Sequence, residues 1–117
     1  MTTQEKRKFI RHDALHLLDY LVLDEEGNPG NYSMGRTIDV STEGLKLETV
    51  FPLEVNSHLR ITLGIEKDLV ELEGKIIHAG PQDGRFFSGI IFEKITEDGK
   101  RILAKYIEAF NKQQNKQ

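Results

Sequence analysis

Gly44-Leu45-Lys46-Leu47-Glu48-Thr49-Val50 is the stretch that decides the fold. Leu45, Leu47 and Thr49 alternate with Lys46 and Glu48. A period of two sends successive side chains to opposite faces of an extended chain, so this is a strand with one dry face and one wet face. The same reading extends outward along the chain. Leu59, Ile61 and Leu63 alternate with Arg60, Thr62 and Gly64, and Val70, Leu72, Gly74 and Ile76 alternate with Glu71, Glu73 and Lys75. Residues 32–40 and 86–93 read as further strands. Residues 15–23 are apolar on both faces, so periodicity alone leaves helix and strand open there. Their strand-rich company makes them a strand. Asp-Glu-Glu-Gly-Asn-Pro-Gly-Asn (24–31), Glu66-Lys67-Asp68 and Gly80-Pro81-Gln82-Asp83-Gly84 are turn sequences between these runs. Six strands at short, regular spacing predict a small antiparallel barrel or sandwich.

The tail changes period. Ile102, Leu103, Tyr106, Ile107 and Phe110 share one face of a helix over 96–112, with Thr96 as N-cap and Glu97 and Asp98 at the positive end of its dipole. Gly99 spoils a full capping box. The apolar stripe is expected to dock on the barrel, and polar residues 111–117 to fray.

At 117 residues the chain is of one-domain size. It holds no cysteine, which excludes disulfides, thiolate zinc sites and a cysteine nucleophile. No apolar run has the length of a membrane span and the N-terminus has no signal-peptide pattern, so a soluble cytoplasmic protein is expected. The net charge of −3 opposes a general nucleic-acid binder. The charge is uneven, however. Lys6, Arg7, Lys8, Arg11 and His12 crowd the N-terminal arm, while Asp24, Glu25 and Glu26 form an acidic turn. A basic arm on an acidic body suits capture of a compact anion.

Two short segments carry the chemistry. Arg7 and Arg11 lie four residues apart, and guanidinium forks match phosphate oxygens and the guanine N7/O6 edge. Asp39-Val40-Ser41-Thr42-Glu43-Gly44 offers an acid, a hydroxyl and a glycine in one turn, and a carboxylate suits the donor edge of guanine. Together they predict a pocket for a small, anionic, guanine-containing ligand.

Arg-x-x-x-Arg at Arg7 and Arg11, followed by Asp-x-Ser-x-x-Gly at Asp39, Ser41 and Gly44, resembles the signature of PilZ domains. Gly35-Arg36-Thr37-Ile38, Gly74-Lys75-Ile76-Ile77 and Ser88-Gly89-Ile90-Ile91-Phe92 agree with it, and the likeness covers about residues 5–110. The resemblance implies an all-β fold with a C-terminal helix, a six-stranded antiparallel PilZ-type β-barrel. The expected division is a flexible arm over 1–12, the barrel over 13–95 and the helix over 96–112. It also implies a receptor for the bacterial second messenger cyclic di-GMP. Arg7 and Arg11 would grip phosphate and the guanine Hoogsteen edge, Asp39 would accept from guanine N1 and N2, and Ser41 would meet a polar edge. Gly44 would allow close approach where a Cβ would obstruct or a positive φ is needed. Gly89 would give similar clearance, and Lys6 would meet a further phosphate or stack on a base. The partner implied is an effector protein of motility or exopolysaccharide machinery.

Other constellations are weaker. His12 and His16 have helical metal-pair spacing, but on a strand their α-carbons stand about 13 Å apart, so no metal or cofactor is expected. Gly27-Asn28-Pro29-Gly30 imitates a KH-domain GxxG loop, but it joins strands and reads as a hairpin. Ser41 lacks the Gly-x-Ser-x-Gly elbow of a hydrolase, so no enzyme is expected. Phe86, Phe87, Phe92 and Phe110 read as core. Two rival readings stand beside the receptor: a PilZ-like protein-interaction scaffold without messenger binding, and a small barrel for single-stranded nucleic acid. The second needs a basic groove with exposed aromatics.

Overall fold

The computed structural model describes residues 17–115. Six strands, β1 (Leu17–Leu23), β2 (Pro29–Val40), β3 (Gly44–Thr49), β4 (His58–Ile65), β5 (Asp68–Gln82) and β6 (Arg85–Lys94), precede one helix, α1 (Glu97–Asn115). Every pairing is antiparallel, and the order β1-β2-β3-β6-β5-β4 closes into a barrel because β1 also pairs with β4. The chain thus builds two three-stranded meanders, β1–β3 and β4–β6, joined along two seams. Closure gives each strand a neighbour on both sides over part of its length, which limits the edge open to another chain. The expected barrel with a C-terminal helix is the fold observed.

The alternating positions read from the sequence point inward. Leu45, Leu47, Leu59, Ile61, Leu63, Val70, Leu72 and Ile76 are buried, with Leu18, Tyr20 and Ile90 among them. Of the four register irregularities, two lie level with each other across the β2–β3–β6–β5 face. Thr37 pairs with Leu47 but Asp39 with Lys46, so Ile38 is an extra residue in β2. Ile76 pairs with Ile90 but His78 with Gly89, so Ile77 is an extra residue in β5. A bulge of this kind reverses which later positions face out. Thr37 and Val40, three apart, are both buried, and Asp39 and His78 face solvent.

Two expected turns are shorter than their sequences suggested. The first loop ends at Asn28, since Pro29 already pairs with Leu23. Asp24 holds that loop by accepting the Glu26 and Asn28 amides at 2.9 and 2.8 Å, and the Asn28 bond above all draws its pKa below the ordinary value. The β5–β6 turn is Asp83-Gly84 alone, with both residues left-handed at φ 53° and 79° as a two-residue hairpin requires. Gly80, Pro81 and Gln82 belong to β5 and pair with Phe87, Phe86 and Arg85. Pairing of β5 with β4 ends at Lys75, so Pro81 sits where β5 has a neighbour on one side and its missing donor is tolerated.

α1 starts as read: Thr96 Oγ1 accepts the Gly99 amide at 2.9 Å. It runs to Asn115, through residues expected to fray. Ile102, Leu103, Tyr106 and Phe110 are buried against the barrel end at which β4 turns into β5. Tyr106 reaches furthest, and its buried hydroxyl donates to Thr37 Oγ1 at 3.0 Å. Burial raises the Tyr106 pKa. A second tether is exposed: Lys105 Nζ donates to Asp68 Oδ2 at 2.8 Å.

Tyr106→Phe leaves the Thr37 hydroxyl buried without its donor, and a loss of about 1–2 kcal/mol is expected in denaturant unfolding. The Asp68–Lys105 bond has a pH signature. The hydrogen bond from Lys105 lowers the Asp68 pKa below 3.8 and raises that of Lys105 above 10.5. The stabilisation from Asp68 is therefore complete above 3.8 and is lost as pH falls through its lower folded value; that from Lys105 is complete below 10.5 and is lost at higher pH. Asp68→Asn is expected to lower the thermal midpoint slightly at neutral pH and to flatten the acid limb of a stability-versus-pH curve.

Candidate ligand-binding cleft

Backbone register sets four residues in one row across the outside of the barrel. Asp39 on β2 pairs with Lys46 on β3, Lys46 with Gly89 on β6, and Gly89 with His78 on β5. The row crosses a cleft of about 580 Å³, lined also by Ser41, Gly44 and Phe87 and walled by Gly80, Pro81 and Gln82. Of the predicted site residues, Asp39, Ser41, Gly44 and Gly89 come together here. Arg7, Arg11 and Lys6 lie outside the described residues.

The turn between β2 and β3 is braced from within. The Ser41 amide donates to the Gly44 carbonyl at 2.8 Å, and Ser41 Oγ accepts the Glu43 amide at 3.2 Å. The Phe92 amide donates to the Glu43 carbonyl at 2.8 Å, which ties the turn to β6. Asp39 Oδ1 accepts the Val40 amide at 3.0 Å. Among the described residues no donor engages its other oxygen, which can accept from a ligand.

Gly44 answers to packing. Its φ is not left-handed, and a Cβ there would overlap the Ile90 carbonyl oxygen of β6. Of the two expected reasons for this glycine, close approach is the one that operates, and the first surface approached is the neighbouring strand. Gly89 has a different task. Its missing side chain makes room for the His78 ring, which lies over it on the floor of the cleft.

Lys46 and Phe87 were not singled out for the site by sequence. Lys46 Nζ lies 5.3 Å from the centre of the Phe87 ring, in cation–π geometry, and among the described residues no carboxylate pairs with it. Phe87, expected in the core, is half-buried on the outer face, because Ser88 and Ile90 take the inward positions of β6. A signal for this existed: with Ile90 inward, alternation puts Phe87 and Gly89 outward. Phe110 is core as expected. The cleft thus offers a carboxylate acceptor, an ammonium that pairs with no carboxylate of the described residues, and an aromatic face. A second cavity of about 600 Å³ beside Tyr32, Phe51 and Leu53 has no lysine or arginine in its lining, so it lacks the cation an anionic ligand needs. Among the described residues no helix is long and apolar enough to cross a membrane, and no cluster of three metal-ligating side chains occurs.

A family model described as the PilZ domain matches residues 5–109. The chain belongs to the PilZ domain family. No curated protein sequence matches it. Among solved structures it is similar to the PilZ domain of CeSA from a cellulose-synthesizing bacterium, with a TM-score of 0.58 and 18% identity over 81% of this chain and 93% of that one. It is also similar to the Bacillus subtilis inhibitor of motility MotI/DgrA, with a TM-score of 0.61 and 16% identity over 86% of this chain and 49% of that one. MrkH of K. pneumonia in its apo state gives 0.61 and 16% over 87% and 50%. The chain spans about half the length of the last two. At these identities the likeness is one of fold.

Gly44→Ala is expected to destabilise the barrel by roughly 1–3 kcal/mol, because backbone of two paired strands must separate. Gly80→Ala, which meets nothing within 4 Å, should stay within about 0.5 kcal/mol of the parent in the same urea titration.

Proposed function

We propose that this PilZ domain binds cyclic di-GMP in the cleft beside Asp39, with its N-terminal arm as the second half of the site. One observation carries the reading. β1 opens at Leu17 opposite Arg36, three residues before Asp39 on β2. The chain ahead of Leu17 therefore enters from the barrel end that bears the Asp39–Gly44 turn. Five residues separate Arg11 from Leu17, and the six steps between them can span about 20 Å when extended. The cleft begins at Asp39 on β2, the strand next to β1, about 5 Å across the sheet and three residues, about 10 Å, along it. Arg11, and Arg7 beyond it, are thus within reach of a ligand seated on Asp39.

In this reading the turn reads the base and the arm holds the phosphates. The free Asp39 oxygen accepts from guanine N1 and N2, and Ser41 offers its hydroxyl at the same edge. The purine lies beside Lys46 and Phe87. Arg7 and Arg11 supply bidentate contacts to phosphodiester and Hoogsteen edge. Drawing the arm onto the cleft brings Phe9 and Ile10 onto the barrel and changes the surface offered to an effector protein. Motility or exopolysaccharide machinery is the kind of partner the family suggests. The domain signals by binding, without chemistry on its ligand.

Calorimetric titration with cyclic di-GMP, with GTP and cyclic AMP as controls, tests this. Saturable binding of cyclic di-GMP alone is expected, and Arg11→Ala and Asp39→Ala should each weaken it at least about tenfold, the loss of one charge-assisted contact. Absence of binding, or an unchanged affinity in Arg11→Ala, sinks the reading; absence of binding leaves the protein-interaction scaffold in its place.

A further inference from the structure

His78 occupies a position that alternation would not give it. The extra residue Ile77 turns it outward, into the same row as Asp39. Its ring then leans back over the cleft floor: a Cβ built on Gly89 would stand 2.9 Å from His78 Cδ2. Among the described residues no hydrogen bond or ion pair engages the imidazole, whereas His58 Nε2 lies 3.3 Å from Glu93 Oε1. The Lys46 side chain lies toward Phe87, and the His78 ring covers Gly89 and faces Asp39 along the row. Asp39 and His78 are three strand spacings apart, about 14 Å between α-carbons. A guanine whose Watson–Crick edge sits on Asp39 and whose plane follows this row extends its ribose and phosphate toward the His78 ring.

We propose that His78 is a further ligand-binding residue of this cleft, donating an imidazole N–H to a phosphodiester oxygen of the nucleotide whose base Asp39 holds. The proposal rests on the cyclic di-GMP reading above and adds a fixed donor on the barrel, opposite the acid. The imidazole has an N–H to give in either protonation state. It also sets the length of the site, since Asp39 and His78 together mark the span of one guanine with its sugar phosphate.

The experiment is calorimetric titration of cyclic di-GMP into the full chain and into His78→Ala, His78→Gln and Asp39→Ala, with the imidazole nitrogens followed by NMR. His78 is exposed, so its variants should melt with the parent. His78→Ala is expected to weaken binding about tenfold, the value of a hydrogen bond to a charged group. His78→Gln keeps an N–H donor and should recover most of that loss, and the His78 nitrogen signals should move on saturation while those of His58 stay in place. If His78→Ala binds like the parent while Asp39→Ala loses affinity, the His78 contact is wrong and the cleft reading stands. Equal losses in Ala and Gln, with unmoved His78 signals, reduce the ring to packing and overturn the proposal. A parent chain that does not bind cyclic di-GMP removes the cleft reading and this contact together.

Discussion

The pairing of β3 with β6 is the constraint on which the rest of the structure depends. It joins two meanders that are far apart in sequence, and its register sets Lys46 beside Gly89 and Leu45 beside Ile90. At its end the two backbones come so close at Gly44 that no side chain fits against the Ile90 carbonyl. Without this seam Asp39 and His78 would lie toward opposite edges of an open sheet joined only through β1 and β4. With it they bound one row of outward positions, and the β2–β3 turn gains a bond from the Phe92 amide. The other seam, β1 with β4, closes the barrel, and β1 opens with Leu17 at the end that bears the β2–β3 turn.

The two bulges turn this scaffold into a site. Each adds one residue to a strand, and each redirects a polar side chain from the interior to the cleft: Asp39 after Ile38, His78 after Ile77. In a regular strand Asp39 would share the buried face of Thr37, where an unpaired carboxylate costs several kcal/mol. The bulge avoids that cost and lets Val40 return to the core. The helix works from the inside, as Tyr106 bonds Thr37 two residues before Asp39. The same strand is thus anchored to the core at one residue and presents its acid at the next outward one.

Much of this was legible in the sequence. The strands and the helix followed from periodicity, since half-buried elements must alternate and a docked helix must carry a stripe. Asp39, Ser41, Gly44 and Gly89 were named from spacing and resemblance, and they meet in one cleft. Phe87 was misread because a polar Ser88 at the inward position hides the alternation of β6. The 80–84 turn was read too long because Gly80 and Pro81 look like turn residues, although Asp83 and Gly84 alone reverse the chain. Lys46 looked like an ordinary solvated position of an amphipathic strand. His78 looked like a continuation past the last alternating residue of β5.

The sequence by itself determined the fold class, the inward faces of β3, β4 and the first part of β5, and the acid, hydroxyl and glycine of the β2–β3 turn. These rest on local regularities, the period of the chain and the preferences of turn residues, which are written residue by residue. Tertiary structure alone decided which strands are neighbours, where the two bulges fall and which side chains therefore share the row from Asp39 to His78. Those depend on register between distant segments, and a single extra residue reverses every face beyond it.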